Sequence, residues 1–143
     1  AMEGCIGVFH VATPMDFEDK EPEEVVTNRA ITGALGILKA CLDSKTVKRV
    51  VYTSSQAAAN TNYSGAKVVD ENFWSDVDFT RGLKSSGSSY TISKTLTEKA
   101  VLEFGQQHGL DVVTILPSCI IGPFISPTFP GSVRCLLALV LGM

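Results

Sequence analysis

"RVVYTSS", residues 49–55, is the stretch on which the fold turns. Val50, Val51 and Tyr52 form a short β-branched and aromatic run, and Thr53, Ser54 and Ser55 close it with small polar groups. A run without strict apolar/polar alternation is expected of a strand covered on both faces. Two further runs read the same way, "CIGVFHVA" at 5–12 and "DVVTILPSCIIG" at 111–122, the latter ending in a proline-containing loop. What lies between them decides the architecture.

Between the first two runs, Ala30, Ile31, Ala34, Leu35, Leu38, Cys41 and Leu42 recur at helical spacing. Pro22 suits a helix start, and Glu23 and Glu24 suit the positive end of its dipole, so a helix is predicted to run to about Ser44. Gly33 and Gly36 inside it are expected to mark close packing against a sheet. A second helix is predicted over 88–108, ended by Gly109. A last one is predicted over 133–141, capped by Ser132. The polar stretch 56–86 holds too many Gly, Ser, Asn and Asp residues for regular structure. Strand, helix, strand, helix, strand implies an α/β fold with a Rossmann-type parallel sheet and helices on both faces. Ligands of such sheets bind beyond the carboxyl ends of the strands. Here those ends are Ala12-Thr13-Pro14-Met15, Thr53-Ser54-Ser55 and Pro117-Ser118.

With 143 residues, 45% hydrophobic and 19% charged, the chain is one domain or a piece of one, large enough for a real core. It opens almost directly into a strand and stops inside an apolar run, as expected of a portion of a longer protein. The net charge is −3, and the basic residues are scattered, with Lys45, Lys48 and Arg49 the tightest group. That argues against a nucleic-acid or anionic-membrane surface. "CIGVFHVA" has no basic segment before it, and "CLLALVLGM" is short of the roughly 20 apolar residues a membrane span needs, so no membrane insertion is expected. Cys5, Cys41, Cys119 and Cys135 lack metal-ligand spacing and sit in apolar segments; no metal site and a reduced, cytoplasmic setting are expected.

Tyrosine followed four positions later by lysine occurs twice, as Tyr63/Lys67 in "YSGAK" and Tyr90/Lys94 in "YTISK". A neighbouring ammonium lowers the pKa of a phenol that is otherwise near 10, provided the two are held together. A helix supplies that geometry at a spacing of four. Tyr90 and Lys94 fall in a predicted helix, whereas Tyr63 and Lys67 fall among loop residues. The stripe Ile92, Leu96, Ala100 and Phe104 is offset from the Tyr90/Lys94 pair, so the pair is expected to point away from the packed side, toward a cleft. The pattern also describes a surface tyrosine beside a solvated lysine. Ser55, at the end of a neighbouring strand, tips the balance. Ser, Tyr and Lys together are the parts needed to protonate a carbonyl oxygen while hydride reaches its carbon.

The segments "GVFHVATPMDF", "GILKACLDSKTVKRVVYTSS", "VVDENFWSDVDF", "YTISKTLTEKAVLEF" and "DVVTILPSCIIGPF" together resemble the plant dihydroflavonol 4-reductase-like group of extended short-chain dehydrogenase/reductases. The resemblance runs over essentially the whole chain. It implies an NADPH-dependent reductase of a flavonoid or isoflavonoid ketone, with Ser55, Tyr90 and Lys94 catalytic. By the same resemblance Val11, Ala12, Thr13, Thr53, Lys94, Pro117 and Ser132 match cofactor-binding positions, and Met15 and Asn60 match substrate positions. Thr13 and Ser132 also fit plain turn and cap residues, and Asn60 a loop residue. His10 and Trp74 are read as packing residues. The family's glycine-rich phosphate loop, GxxGxxG, does not occur in these 143 residues. The second expectation is therefore a catalytically silent portion or a nucleotide-binding partner protein, with residues 1–143 a partial NAD(P)-binding domain.

Overall fold

The computed structural model describes residues 2–16, 20–61 and 68–142, and of Cys135 the backbone alone. Three parallel strands, β1 (Gly7–His10), β2 (Arg49–Thr53) and β3 (Asp111–Ile115), lie in the order β1-β2-β3. Between β1 and β2 runs the helix α1 (Glu23–Ser44); between β2 and β3 run a 3-10 turn (Gln56–Ala59) and the helices α2 (Val77–Leu83) and α3 (Ser88–His108). The helix α4 (Gly131–Leu141) follows β3. Parallel neighbours joined through helices are the Rossmann-type arrangement expected from the order of apolar runs.

Register fixes which side chains share a face. Val8, Val50 and Val112 form one row, and His10, Tyr52 and Thr114 the next on the same face. Against these rows pack Ala34, Leu38 and Cys41 of α1 with Val101 of α3, and the buried Val47 and Leu110 complete the core. The opposite face carries Phe9, Val51 and Val113, with Phe9 79% exposed; both long helices therefore lie on one side of the sheet. By length and composition α1 could cross a bilayer. Its apolar side is instead buried in this core, the ordinary cause of such a helix in a globular fold.

The helix bounds follow their sequence signals closely. α1 begins right after Pro22, with Glu23 and Glu24 in its first turn, and α3 ends at Gly109 in the left-handed conformation. The strands stop earlier than their apolar runs, at 10, 53 and 115 rather than 12, 55 and 122. Pairing ends there, and beyond β3 Pro117 has no N–H to continue a ladder.

Three expectations are corrected. The stretch 56–86 is not wholly irregular: besides the 3-10 turn it holds α2, whose first turn is capped by the Asp76 carboxylate accepting from the Phe79 amide at 2.9 Å. α4 starts at Gly131 after Pro130, so Ser132 lies inside its first turn and is not its cap. Gly33 and Gly36 are exposed, and a side chain at either would meet open space, so packing is not their reason. Close approach falls instead at Gly105, where a Cβ would lie 2.7 Å from Cγ2 of Val112 and 2.9 Å from the Leu110 carbonyl oxygen. There the last turns of α3 press onto β3.

Candidate functional site

The carboxyl ends of the three strands gather the residues singled out above. Val11, Ala12 and Thr13 follow β1 directly, Thr53 ends β2, Ser55 lies two residues further, and Pro117 lies two residues past β3. The β2 and β3 ends are zipped beyond the strands: the Ser54 amide donates to the Ile115 carbonyl at 2.9 Å, and the Gln56 amide to the Pro117 carbonyl at 3.0 Å. Ser55 is thereby held between two anchored neighbours. Its hydroxyl oxygen accepts from the Ala57 amide at 3.2 Å and caps the 3-10 turn.

The two serines divide their labour. Ser54 is buried and donates its hydroxyl to Glu98 of α3, while Ser55 is half-buried. Of the two, Ser55 is the more exposed.

Lys94 crosses from α3 to the end of β2, where its ammonium donates to the Thr53 carbonyl at 3.0 Å. It is only 3% exposed, and this corrects the expectation that the Tyr90/Lys94 pair points away from the packed side. The sheet-facing side of α3 is polar in its first half: Lys94 and Glu98 come first, then Val101 and Gly105. Of the anticipated apolar stripe Ile92 is buried, but Leu96, Ala100 and Phe104 are only half-buried. Lys94 Nζ stands 5.5 Å from the Tyr52 ring centre and 5.9 Å from that of Tyr90, within reach of both π-faces. Burial lowers the Lys94 pKa to about 8, with the Glu98 charge acting against the fall. Tyr90, one turn earlier and half-buried, thus has an ammonium against its ring.

Tyr52 was missed by the sequence reading. It is 2% exposed, meets the His10 ring edge-on at 5.4 Å, and its pKa is pushed up to about 12, by burial first and then by Glu98 and Tyr90. It is the platform beneath Lys94 rather than an acid. Burial, and then the Lys94 charge, lowers the pKa of His10, in keeping with its packing role. Trp74 lies under the Lys99 ammonium at 5.1 Å, tying the segment before α2 to α3.

The remaining positions are more scattered. Met15 is 65% exposed past the β1 end. Asn60 is exposed, with its amide donating to Ser75 Oγ at 3.0 Å. Ser75, also missed, is buried; it accepts from Asn60 and from the Thr61 amide at 2.9 Å, and donates to the Ala57 carbonyl at 2.7 Å. The Ser132 hydroxyl donates to the Ile120 carbonyl at 2.6 Å. Its single proton is therefore committed, and a phosphate at this helix start would meet the first-turn amides of α4 instead. Tyr63 and Lys67 lie outside the described residues. Among the described residues no cluster of metal ligands occurs, and Cys41 and Cys119 are free thiols.

The arrangement suits a nicotinamide cofactor on one direct ground. An ammonium has three protons, and among the described residues one of those on Lys94 goes to the Thr53 carbonyl, so the others could serve ribose hydroxyls.

Comparison with known proteins bears on the family and the fold. The family model described as "Male sterility protein" (NAD_binding_4) matches residues 2–141. The vestitone reductase of Medicago sativa is 56% identical over 142 residues, 99% of this chain and 44% of that protein. A dihydroflavonol 4-reductase of Zea mays is 49% identical over 99% of this chain and 40% of its own length. The crystal structure of alfalfa vestitone reductase superposes with a TM-score of 0.85 at 52% identity, covering 97% of this chain and 42% of that one. Gre2 of Candida albicans, in complex with NADPH, superposes with a TM-score of 0.72 at 27% identity over 84% of this chain and 38% of its own. The chain thus spans less than half the length of these relatives.

Proposed function

We propose a carbonyl reduction for this protein on a plain premise: the chain belongs to the NAD-binding family of its matching model and, within it, to the dihydroflavonol 4-reductase-like extended short-chain dehydrogenase/reductases. The substrate is a ketone of the flavonoid or isoflavonoid class and the cofactor is NADPH. The observation that carries the reading is the buried Lys94 ammonium, fixed to the end of β2 and set against the ring of Tyr90.

When bound, NADPH supplies a hydride to the carbonyl carbon. Tyr90 gives its phenolic proton to the carbonyl oxygen, with the Lys94 ammonium set against its ring. Ser55, placed by its zipped neighbours, donates its hydroxyl to the same oxygen and orients it. Val11, Ala12, Thr13, Thr53 and Pro117, at the strand ends, would hold the cofactor together with Lys94 and the first turn of α4, including Ser132. Met15 and Asn60 would contact the substrate.

The test is NADPH oxidation by the full-length protein with vestitone-type isoflavanones and with dihydroflavonols. Tyr90→Phe is expected to lower kcat by roughly 10²–10⁴, the usual worth of a positioned general acid. Undiminished turnover in Tyr90→Phe refutes the assignment.

A further inference from the structure

One turn beyond Lys94, on the same sheet-facing side of α3, lies Glu98, 3% exposed and unused in the reaction described above. Both its oxygens are engaged. Oε2 accepts from the Ser54 hydroxyl, just past β2, and Oε1 accepts from the Thr114 hydroxyl of β3 at 2.8 Å. A carboxylate that accepts on both oxygens from two adjacent strands is a clasp across the sheet, and burial makes each of its contacts matter more than in water. The residue it clasps on β2 is the immediate neighbour of Ser55. The residue four positions before it is Lys94, on which its charge acts.

We propose that Glu98 is a positioning residue that couples Ser55 to Lys94, holding the serine end of β2 through Ser54 and the lysine through its charge. The inference rests on the reading of Ser55, Tyr90 and Lys94 as the catalytic set. A purely structural clasp would hold the strands equally well with neutral hydrogen-bonding groups. The distinguishing property is the charge. The titratable groups facing Lys94 are His10 on β1, Tyr52 on β2, and Tyr90 and Glu98 on its own helix; the facing residue of β3, Thr114, does not titrate. Of these only Glu98 opposes the effect of burial on Lys94.

The experiment follows the Lys94 titration by ¹³Cε-lysine NMR, beside pH profiles of kcat, in the wild type and in Glu98→Gln, Glu98→Asp and Ser54→Ala. Glu98→Gln is expected to move the Lys94 midpoint, near 8 in the wild type, down by about one pH unit, and to carry the alkaline limb of kcat with it. Glu98→Asp keeps the charge and is expected to restore most of that position, a rescue that also serves if Glu98→Gln fails to fold. Ser54→Ala is expected to lower kcat roughly tenfold through Ser55 while leaving the Lys94 midpoint in place. An unmoved midpoint and limb in Glu98→Gln, with only a lower melting temperature, overturns the proposal. Turnover surviving in Tyr90→Phe and Lys94→Ala would instead overturn the catalytic reading beneath it, and the NMR midpoint separates the two failures.

Discussion

Burying a lysine under two aromatic rings costs stability, and the cost can be worked from the structure. The Lys94 pKa falls from an ordinary 10.5 to about 8 because burial penalises the charged form. With the side chain only 3% exposed, that fall corresponds to about 3 kcal/mol between the two protonation states. The sign follows from proton counts. Between pH 8 and 10.5 the unfolded chain holds more protons at Lys94 than the folded one, so stability rises with pH across this window. Lys94's relief is complete above 10.5 and absent below 8. Lys94→Met fills the same space without the charge and has no such dependence. The wild-type stability minus that of Lys94→Met is therefore expected to rise by about 2–3 kcal/mol between about pH 7 and pH 10. Urea unfolding of both proteins at the two pH values measures it. Tyr52, whose pKa is pushed up to about 12, acts above pH 10 in the opposite sense and is shared by both proteins. A difference constant to within about 0.5 kcal/mol would refute the reasoning, because Lys94 would then carry no burial penalty.

Gly105→Ala is expected to destabilise by about 1–3 kcal/mol in urea unfolding, since its Cβ would press within 2.7 Å of Val112 and 2.9 Å of the Leu110 carbonyl oxygen. Ser75→Ala leaves the Asn60 and Thr61 amides and the Ala57 carbonyl without their shared partner, for an expected loss of about 2 kcal/mol. Because that hydroxyl shapes the loop bearing Asn60, steady-state kinetics should show KM rising more than kcat falls. Ser55→Ala removes a cap bond to Ala57 worth about 0.5–1 kcal/mol, so its melting temperature should change little while kcat drops roughly a hundredfold.

The fold was legible where apolar period and end signals coincide. α1 carries Pro22, Glu23 and Glu24 at its start and a 3.6-residue stripe along its length, and α3 stops at Gly109, so both helices were bounded correctly. Strand ends were not, because Val11 and Leu116 continue the apolar runs after pairing has ceased. α2 was hidden by the polar residues around it, although Asp76 ahead of "VDFTRGL" is a recognisable cap. The proposed trio of Ser55, Tyr90 and Lys94 was suggested by spacing and strand position. Its support was not: Thr53, Ser54 and Thr114 are 41, 44 and 16 residues from the side chains they hold, and no local pattern announces such pairs. A reading of α3 that scores only apolar periodicity must miss a buried face made of Lys94 and Glu98.

That face explains how one helix serves two ends of the same sheet. Toward its carboxyl end α3 packs by contact, Val101 buried completely and Gly105 removing even a Cβ from the path of Val112. Toward its amino end it touches the same strands through polar groups, Lys94 on the Thr53 carbonyl and Glu98 on Ser54 and Thr114. The packed half fixes the helix axis against β3, and the polar half depends on that axis, because hydrogen bonds tolerate only a few tenths of an ångström. A shift at Gly105 is therefore felt at Lys94, eleven residues away on the same rigid element. Gly105→Ala should then lower kcat by more than its effect on folded population accounts for, measurable as reduced turnover per folded molecule well below the melting temperature. Turnover per folded molecule equal to wild type would show that the two halves of α3 act independently.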